Sequence, residues 1–207
     1  MTIDKSYNDW ANTYDTGENK TRDLEEIVAK QTLDRYDFTT VLELGCGTGK
    51  NTQWLAEKAS SIIGMDFSGK MLLKAKEKIK SDKVNFQQAD LNKPWDIKDN
   101  YADLISCSLT LEHISDLDFI FSEGFKKLKP KGKFFVCELH PFKQYTGTKA
   151  RYETENGIIE LEVFTHHVSE YINSATISGF KVLELKEWFD NNDETAIPRL
   201  ISFVFEK

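Results

Sequence analysis

The sequence has little cysteine, little proline and no long hydrophobic run, and each scarcity excludes a class of protein. Its 207 residues include 3 cysteines without a CxxC spacing, which gives neither a disulfide framework nor a metal-ligand pattern. With 4 prolines and an apolar share of 40%, the chain is not collagen-like or largely disordered. No run approaches the roughly 18 apolar residues of a membrane span, and the first residues lack a secretory signal. We therefore expect a globular, cytoplasmic protein without metal or membrane partner.

An excess of positive charge is also missing. The chain carries 27 Lys and Arg against 34 Asp and Glu, a formal net charge of −7. Such a balance repels the phosphate backbone of nucleic acids and anionic lipid surfaces. The charge therefore favours a small-molecule substrate over nucleic acid, and we expect a monomer or a homodimer.

Segments with the hydrophobic period of a strand alternate with segments of helical period from residue 24 onward, which is typical of an α/β fold. Five apolar strands precede two alternating segments, 181–188 and 200–205, which predict an antiparallel pair. We predict a single domain with a Rossmann-like, seven-stranded, mostly parallel sheet that has one antiparallel edge strand and helices on both faces. Its expected parts are an N-terminal aromatic cover segment (1–22), a cofactor-binding core (38–139), a substrate-lining insertion and helix (140–180), and the C-terminal antiparallel strands (181–207). The sequence at the start of the insertion shows no clean hydrophobic period.

A glycine-rich loop, Gly45-Cys46-Gly47-Thr48-Gly49, follows the first predicted strand. Glycines at a strand-to-helix turn let backbone N–H groups approach a ligand at the helix N-terminus, where an anion is favoured. A dinucleotide fingerprint needs a small residue at position 50, which is Lys50. A P-loop needs Ser or Thr after the Gly-Lys pair, but Asn51 stands there. The loop therefore predicts an anion site of another kind.

An acidic residue two positions before Gly-x-Gly-x-Gly resembles the first motif of class I S-adenosylmethionine-dependent methyltransferases. The resemblance implies that Gly45, Gly47 and Gly49 face the methionine part of the cofactor, whose single carboxylate suits a short loop. It also implies that Asp66, at the end of the second strand, holds the ribose hydroxyls. Glu43 either orients the loop or contacts the ligand, and both roles stay open.

Further segments follow the same family pattern. Asp90, after the third strand, would reach the adenine amino group, with Leu91 beside it as a backbone contact. The aromatic opening from Tyr7 to Tyr14 resembles a segment that covers the cofactor in small-molecule members of the family. The resemblance implies the following cofactor-binding residues: Trp10, Tyr14, Glu43, Gly45, Cys46, Gly47, Gly49, Asp66, Phe67, Asp90, Leu91 and Ser106.

Two histidines are candidates for catalysis. His113 follows the fourth strand and His140 follows the fifth, so both are expected near the carboxyl ends of the strands, where ligands bind in such sheets. A histidine with a pKa near neutrality is a suitable general base for a hydroxyl or carbon acceptor. An amine acceptor needs no dedicated base.

The resemblance implies an enzyme that moves the methyl group of S-adenosylmethionine to a small molecule by in-line displacement, with S-adenosylhomocysteine as the product. Two alternatives remain open. A tRNA-modifying methyltransferase shares this core, although the net charge disfavours it. A non-catalytic S-adenosylmethionine-binding regulator or partner protein is the other, because a fold alone does not establish turnover.

Overall fold

The main sheet occupies the centre of the molecule. The structure is a computed structural model that describes residues 3–154 and 157–207. The strands of this sheet are β1 (Thr40–Leu44), β2 (Ser61–Asp66), β3 (Val84–Gln88), β4 (Ala102–Ser108), β5 (Leu128–Leu139), β8 (Lys181–Trp188) and β9 (Leu200–Glu206). A separate hairpin consists of β6 (Arg151–Thr154) and β7 (Gly157–Glu160).

Seven α-helices accompany the strands in the described part of the chain. They are α1 (Ile3–Trp10), α2 (Lys20–Leu33), α3 (Lys50–Lys58), α4 (Gly69–Lys78), α5 (Leu117–Lys127), α6 (Pro141–Tyr145) and α7 (Val168–Ile177). Within residues 3–154 and 157–207, none of these helices combines the length and apolar character required to cross a bilayer.

The sheet has the order β3-β2-β1-β4-β5-β9-β8. β1 pairs in parallel with both β2 and β4, so the strand order reverses between β1 and β4. Ligands of open α/β sheets bind outside the carboxyl ends of the strands at such a reversal. β9 runs antiparallel to both β5 and β8. The mostly parallel seven-stranded sheet is confirmed, although the reversed strand lies next to the edge strand β8 and not at the edge itself.

Apolar side chains cover both faces of the sheet, which explains why its central strands have nearly continuous apolar sequences. On one face, Phe121 of α5 packs in a cluster with Phe134 and Phe205. On the other face, Leu33 of α2 and Leu55 of α3 belong to a second cluster that includes Val41 and Leu104 of the sheet. The predicted placement of helices on both faces is confirmed.

The structure differs from the sequence prediction at two places. The stretch after β5 contains α6 and the β6–β7 hairpin, although its sequence has no clean period. His140 caps α6 and Pro141 occupies its first turn, where a missing N–H costs little. The apolar run after Gly132 predicts a fifth strand at 133–139, but β5 begins at Leu128, because the chain enters the strand directly after α5 through an irregular pairing in which Lys131 has φ 66°.

Candidate functional site

The glycine loop lies at the carboxyl end of β1, beside the strand-order reversal. Gly45 has φ 66°, a left-handed backbone that favours glycine. A Cβ atom at Gly45 would lie 2.0 Å from Thr110 Oγ1 and 2.6 Å from Thr110 Cγ2. Glycine is therefore required here both for the turn and for the close approach of the segment after β4.

The other two loop glycines differ in their surroundings. Gly47 has φ 53°, and a Cβ atom there would meet no atom of the described residues within 4 Å. Gly49 has φ 80° and caps α3, and its Cβ would lie 2.8 Å from Ile79 Cδ1. Gly47 thus borders open space that a ligand can fill, whereas Gly49 allows α3 and α4 to pack closely.

Asp66 holds the loop in place from the end of β2. Its Oδ2 accepts a hydrogen bond from the Gly47 N–H at 2.9 Å, and its Oδ1 accepts one from the Ser68 N–H at 2.8 Å. The side chain is buried, and burial raises its pKa to about 6. A buried carboxylate with few donors is well suited to accept further hydrogen bonds from a ligand.

A cavity of about 450 Å³, here called the acidic cavity, opens beside Asp66. Asp4, Asp66 and Asp90 line it, and no lysine or arginine of the described residues does. Asp90 also accepts hydrogen bonds from the backbone and side-chain nitrogens of Asn92, each at 3.0 Å. This cavity brings together six of the predicted residues: Gly45, Asp66, Phe67, Asp90, Leu91 and His113.

A second cavity, about 60 Å³ and here called the glycine-loop cavity, lies on the other side of Gly45. Arg22 lines this cavity, and its Cζ lies 4.2 Å from the centroid of the Tyr14 ring. The Nε atom of Arg22 is buried and has no hydrogen-bond partner among the described residues. Glu25 lies opposite, held by Asn51 Nδ2 at 2.9 Å. The predicted residues in this cavity are Tyr14, Glu43, Gly45, Cys46, Gly47 and Ser106.

Glu43 connects two elements beside the glycine loop and also lines a cavity. Its Oε2 accepts a hydrogen bond from Thr52 Oγ1 at 2.5 Å, so the carboxyl group ties β1 to α3. The same residue lines the glycine-loop cavity. Burial raises its pKa to about 8, which favours the protonated form at neutral pH.

A third cavity, of about 390 Å³, adjoins the glycine-loop cavity, because Tyr14, Arg22 and Leu109 line both. Five lysine and arginine residues line it, so it is here called the basic cavity. Trp10, a predicted cofactor-binding residue, lines this cavity and not the other two. Glu112 also lines it.

The N-terminal segment contacts the site through Tyr7. Tyr7 Oη lies 2.8 Å from His113 Nε2, and His113 Nδ1 lies 3.1 Å from the Glu162 carbonyl oxygen. Since a carbonyl only accepts, Nδ1 carries the proton, and the Tyr7 hydroxyl donates to Nε2. Burial lowers the pKa of His113, which keeps the ring neutral.

Hydrogen bonds extend this attachment along the segment. The Asn8 side chain accepts from Ser68 Oγ at 2.9 Å and from the Lys70 N–H at 3.1 Å. Asp15 accepts from Thr48 Oγ1 and from Lys78, each at 2.8 Å. The segment is therefore attached to both α4 and the glycine loop.

His140 is not brought to these cavities. Its Nδ1 accepts from the Phe142 N–H at 3.1 Å and its Nε2 lies 2.9 Å from Glu187 Oε1. It is 1% exposed and lines none of the three cavities. The structure thus gives His140 a capping role at α6.

Sequence reasoning missed three charged residues of the site: Arg22, Glu25 and Glu112. Glu112 is buried, receives a hydrogen bond from Gln144 Nε2 at 3.2 Å, and has its pKa raised to about 7 by burial. Its position directly before His113 was the only available signal. Arg22 and Glu25 lie on α2, whose helical pattern gives no indication of a ligand.

Most of the known proteins that this chain resembles are methyltransferases by name. A family model described as a methyltransferase domain matches residues 42–136. The sterol 24-C-methyltransferase of Saccharomyces cerevisiae is 30% identical over 178 residues, covering 81% of this chain and 45% of that protein. The malonyl-[acyl-carrier protein] O-methyltransferase of Priestia megaterium is 30% identical over 138 residues, covering 63% and 48%. The chain thus spans about half the length of these curated relatives.

A solved structure agrees over a larger share of both chains. An S-adenosylmethionine-dependent methyltransferase from Listeria monocytogenes superimposes with a TM-score of 0.74 at 25% identity. The match covers 88% of this chain and 97% of that one. The similarity therefore includes elements outside residues 42–136.

Proposed function

We propose that this chain, which belongs to the class I S-adenosylmethionine-dependent methyltransferases, transfers the methyl group of that cofactor to a small-molecule acceptor. The observation that carries the proposal is the position of Asp66. Its carboxylate lies between the open space at Gly47 and the acidic cavity, so one buried acceptor serves both ends of an adenosyl ligand.

The acidic cavity fits the adenosine part of the cofactor. We assign the ribose hydroxyls to Asp66, because a carboxylate accepts from two vicinal hydroxyls at once. Asp90 lines the same cavity and is an acceptor for the adenine amino group. Phe67 and Leu91 supply apolar wall for the base.

The glycine-loop cavity fits the methionine part. Arg22 donates from Nη1 and Nη2 to the carbonyl oxygens of Tyr14 and Gly17, and its buried Nε lacks a partner among the described residues. This Nε would hold the carboxylate through a charge-assisted hydrogen bond. The open space at Gly47 lets the ligand approach the loop backbone. Glu25 lies in the same cavity as a counter-charge for the ammonium group.

The cofactor supplies a methyl group on a positively charged sulfur, a good leaving group, so the protein mainly aligns the acceptor and excludes water. The N-terminal segment excludes water by covering the site. Where the acceptor must lose a proton, we assign the base to Glu112 in preference to the expected His113, because His113 Nε2 already accepts a hydrogen bond from Tyr7. Glu112 lines the basic cavity with its pKa raised to about 7 by burial, close to the value a general base needs.

The volume of the basic cavity and the net charge of the protein both favour a small-molecule acceptor. The basic cavity has about 390 Å³, within the range of small-molecule sites. The net charge of −7 opposes binding of a nucleic acid. The two relatives named above are, by their names, methyltransferases of a sterol and of malonyl-[acyl-carrier protein], so the family admits chemically different acceptors.

Calorimetric titration with S-adenosylhomocysteine tests the proposal. We expect binding to the wild type, and we expect Asp66→Ala to weaken it by about 1.5 to 3 kcal/mol, the range for hydrogen bonds to a charged group. Asp96→Ala removes an exposed carboxylate outside the three cavities and should leave the affinity unchanged.

Absence of binding, or equal affinities of Asp66→Ala and the wild type, would contradict the proposed site. Release of S-adenosylhomocysteine from S-adenosylmethionine in the presence of small acceptors is the measurement of transfer itself. Release that requires tRNA would support the tRNA-modifying alternative. Tight binding without release from any acceptor pool, tRNA included, would instead support a non-catalytic binding protein.

A further inference from the structure

The basic cavity differs sharply in charge from the rest of the molecule. We infer that the methyl acceptor carries an anionic group, a carboxylate or a phosphate, which binds at the mouth of this cavity; the inference rests on the proposed function. It names a substrate class that the fold by itself leaves open.

Cations are concentrated in the lining of this cavity. Five of its 16 lining residues are lysine or arginine, compared with 27 of 207 in the whole chain. The neighbouring acidic cavity has three aspartates in its lining and no cation among the described residues. The two cavities are therefore suited to groups of opposite character. The cations of the basic cavity are Lys20, Arg22, Lys149, Arg151 and Arg199.

Carboxylates of the protein itself pair with only some of the lysines and arginines in this cavity. Arg199 forms a two-pronged pair with Asp190, with distances of 2.5 and 2.6 Å. Lys149 Nζ lies 3.8 Å from Glu160, a long contact between two exposed groups. Among the side chains that the structure describes, no carboxylate lies within ion-pairing distance of Lys20 or Arg151. Two carboxylates, Glu18 and Glu112, also line the cavity, but neither lies within ion-pairing distance of Lys20 or Arg151. A bound anion would therefore meet at least these two cations without a described ion-pair partner.

The inner part of the cavity is aromatic and apolar. Tyr7, Trp10 and Tyr14 line it together with Leu109 and Leu139. The Trp10 ring stacks on the Tyr152 ring of the β6–β7 hairpin, with centroids 5.3 Å apart and an interplanar angle of 15°. This contact fixes the hairpin and the segment that carries Lys149 and Arg151 beside α1.

The order of these groups indicates how an acceptor lies. Lys20, Lys149 and Arg151 are exposed at the mouth, whereas Glu112 and Leu139 are buried at the inner end. An acceptor with an anionic group at one end and an apolar body would place its other end near Glu112. The cavity also shares Tyr14, Arg22 and Leu109 with the glycine-loop cavity, so that end approaches the proposed methionine site.

The test compares anionic and neutral probes of one shape. Phenylacetate, phenyl phosphate and phenylacetamide are titrated by calorimetry into the free protein and into its complex with S-adenosylhomocysteine. We expect at least one anion to bind about tenfold or more tighter than the amide, as charge-assisted hydrogen bonds provide. Tighter binding of phenylacetate would indicate a carboxylate acceptor, and tighter binding of phenyl phosphate would indicate a phosphate acceptor.

Charge variants locate the binding. Lys149→Gln with Arg151→Gln should abolish the preference for the anion while leaving the affinity for S-adenosylhomocysteine unchanged, because neither residue lines the other two cavities. The control, Lys80→Gln with Lys98→Gln, makes the same change of charge at exposed residues outside all three cavities and should retain the preference.

Equal binding of both anions and the amide, or a preference that survives in the Lys149 and Arg151 variant, would overturn the inference. If S-adenosylhomocysteine fails to bind, the proposed function fails by itself. The titrations of the free protein still decide whether the basic cavity is an anion site.

Discussion

Asp66 serves the fold and the candidate site with one carboxylate. Two of its hydrogen bonds fix the backbone of the glycine loop and the start of α4, at Gly47 and Ser68. The remaining lone pairs of the two oxygens are available to a ligand. Loop geometry and ligand binding are therefore coupled at a single residue, and a substitution at Asp66 is expected to affect both.

Alanine at two loop glycines should separate stability from ligand binding. Gly45→Ala places a Cβ 2.0 Å from Thr110 Oγ1, so the fold must shift, and we expect a clear loss of thermal stability. Gly47→Ala meets no described atom within 4 Å, so its cost is the left-handed backbone alone, about 1 to 2 kcal/mol.

Thermal unfolding and titration with S-adenosylhomocysteine measure both effects. In a chain of this length 1 kcal/mol corresponds to roughly 2 to 4 °C in Tm. Gly47→Ala should lose affinity out of proportion to its small loss in Tm, because its methyl group fills ligand space. Unchanged affinity in Gly47→Ala would show that the ligand does not approach this glycine.

Glu112 gives a prediction for the pH dependence of methyl transfer to an acceptor hydroxyl. Because a general base acts in its ionised form and the pKa of Glu112 is raised to about 7, kcat/KM should increase between pH 6 and 8. Glu112→Gln should lower the rate by roughly 10² to 10⁴ and remove this rise.

The matched control is Glu162→Gln, an exposed carboxylate whose backbone, and not its side chain, contacts His113. It should retain the profile of the wild type. If Glu112→Gln retains the pH-dependent rise and His113→Ala loses it, the base is His113 and not Glu112.

At the scale of elements, α1 is attached by a few hydrogen bonds and by ring contacts of Tyr7 and Trp10. Ser6 is its only buried residue, and its links to the rest of the protein include Tyr7 to His113 and Asn8 to Ser68. An element that buries little apolar surface opens at low free-energy cost. Ile3 and Asp4 line the acidic cavity, so opening of α1 would admit the cofactor.

Hydrogen exchange tests this role of α1. Each hydrogen bond contributes about 0.5 to 1.5 kcal/mol, so Tyr7→Phe with Asn8→Ala should increase amide exchange in residues 3–16 several-fold. Binding of S-adenosylhomocysteine should slow exchange in the same segment of the wild type. Asn12→Ala, an exposed change in the same segment, serves as the control. Exchange of residues 3–16 that is indifferent to both the double variant and the ligand would contradict a covering role.

At the scale of the molecule, several buried carboxyl groups concentrate around the site. Burial raises the pKa of Asp66 to about 6, of Glu112 to about 7, and of Glu43 and Glu138 to about 8. In the unfolded chain these groups have a pKa near 4. Between about pH 4 and 8 the folded protein therefore binds more protons than the unfolded protein, so its free energy of unfolding falls as pH rises.

Thermal unfolding without ligand should show this trend as a lower Tm at pH 8 than at pH 5.5. Glu138→Gln should raise Tm at pH 8 by several degrees, because its amide oxygen still accepts from the Thr110 and Leu111 N–H groups and no buried charge forms. Glu194→Gln, at an exposed site, should not change Tm. A Tm that rises from pH 5.5 to 8 would refute this interpretation of the buried carboxyl groups.

The β1 sequence and the glycine loop could be predicted because their signals are local. A β-branched apolar run predicts a buried strand, and positive φ angles at Gly45, Gly47 and Gly49 match the residue type that tolerates them. The hairpin after β5 could not be predicted, since its strands have four residues each and β7 is mostly exposed. The alternation in β8 and β9 predicts their pairing but not which of the two lies at the edge.

The sequence alone thus determined the α/β fold, the main strands along the chain and the loop that marks the family, because each depends on neighbours along the chain; the order of the strands within the sheet came from the tertiary structure. Only the tertiary structure decided the charged parts of the site. Arg22, Glu112 and Arg151 come from α2, from the turn after β4 and from the hairpin, and they line one cavity. The elevated pKa of Glu112 likewise results from burial by residues distant in sequence, which no local pattern records.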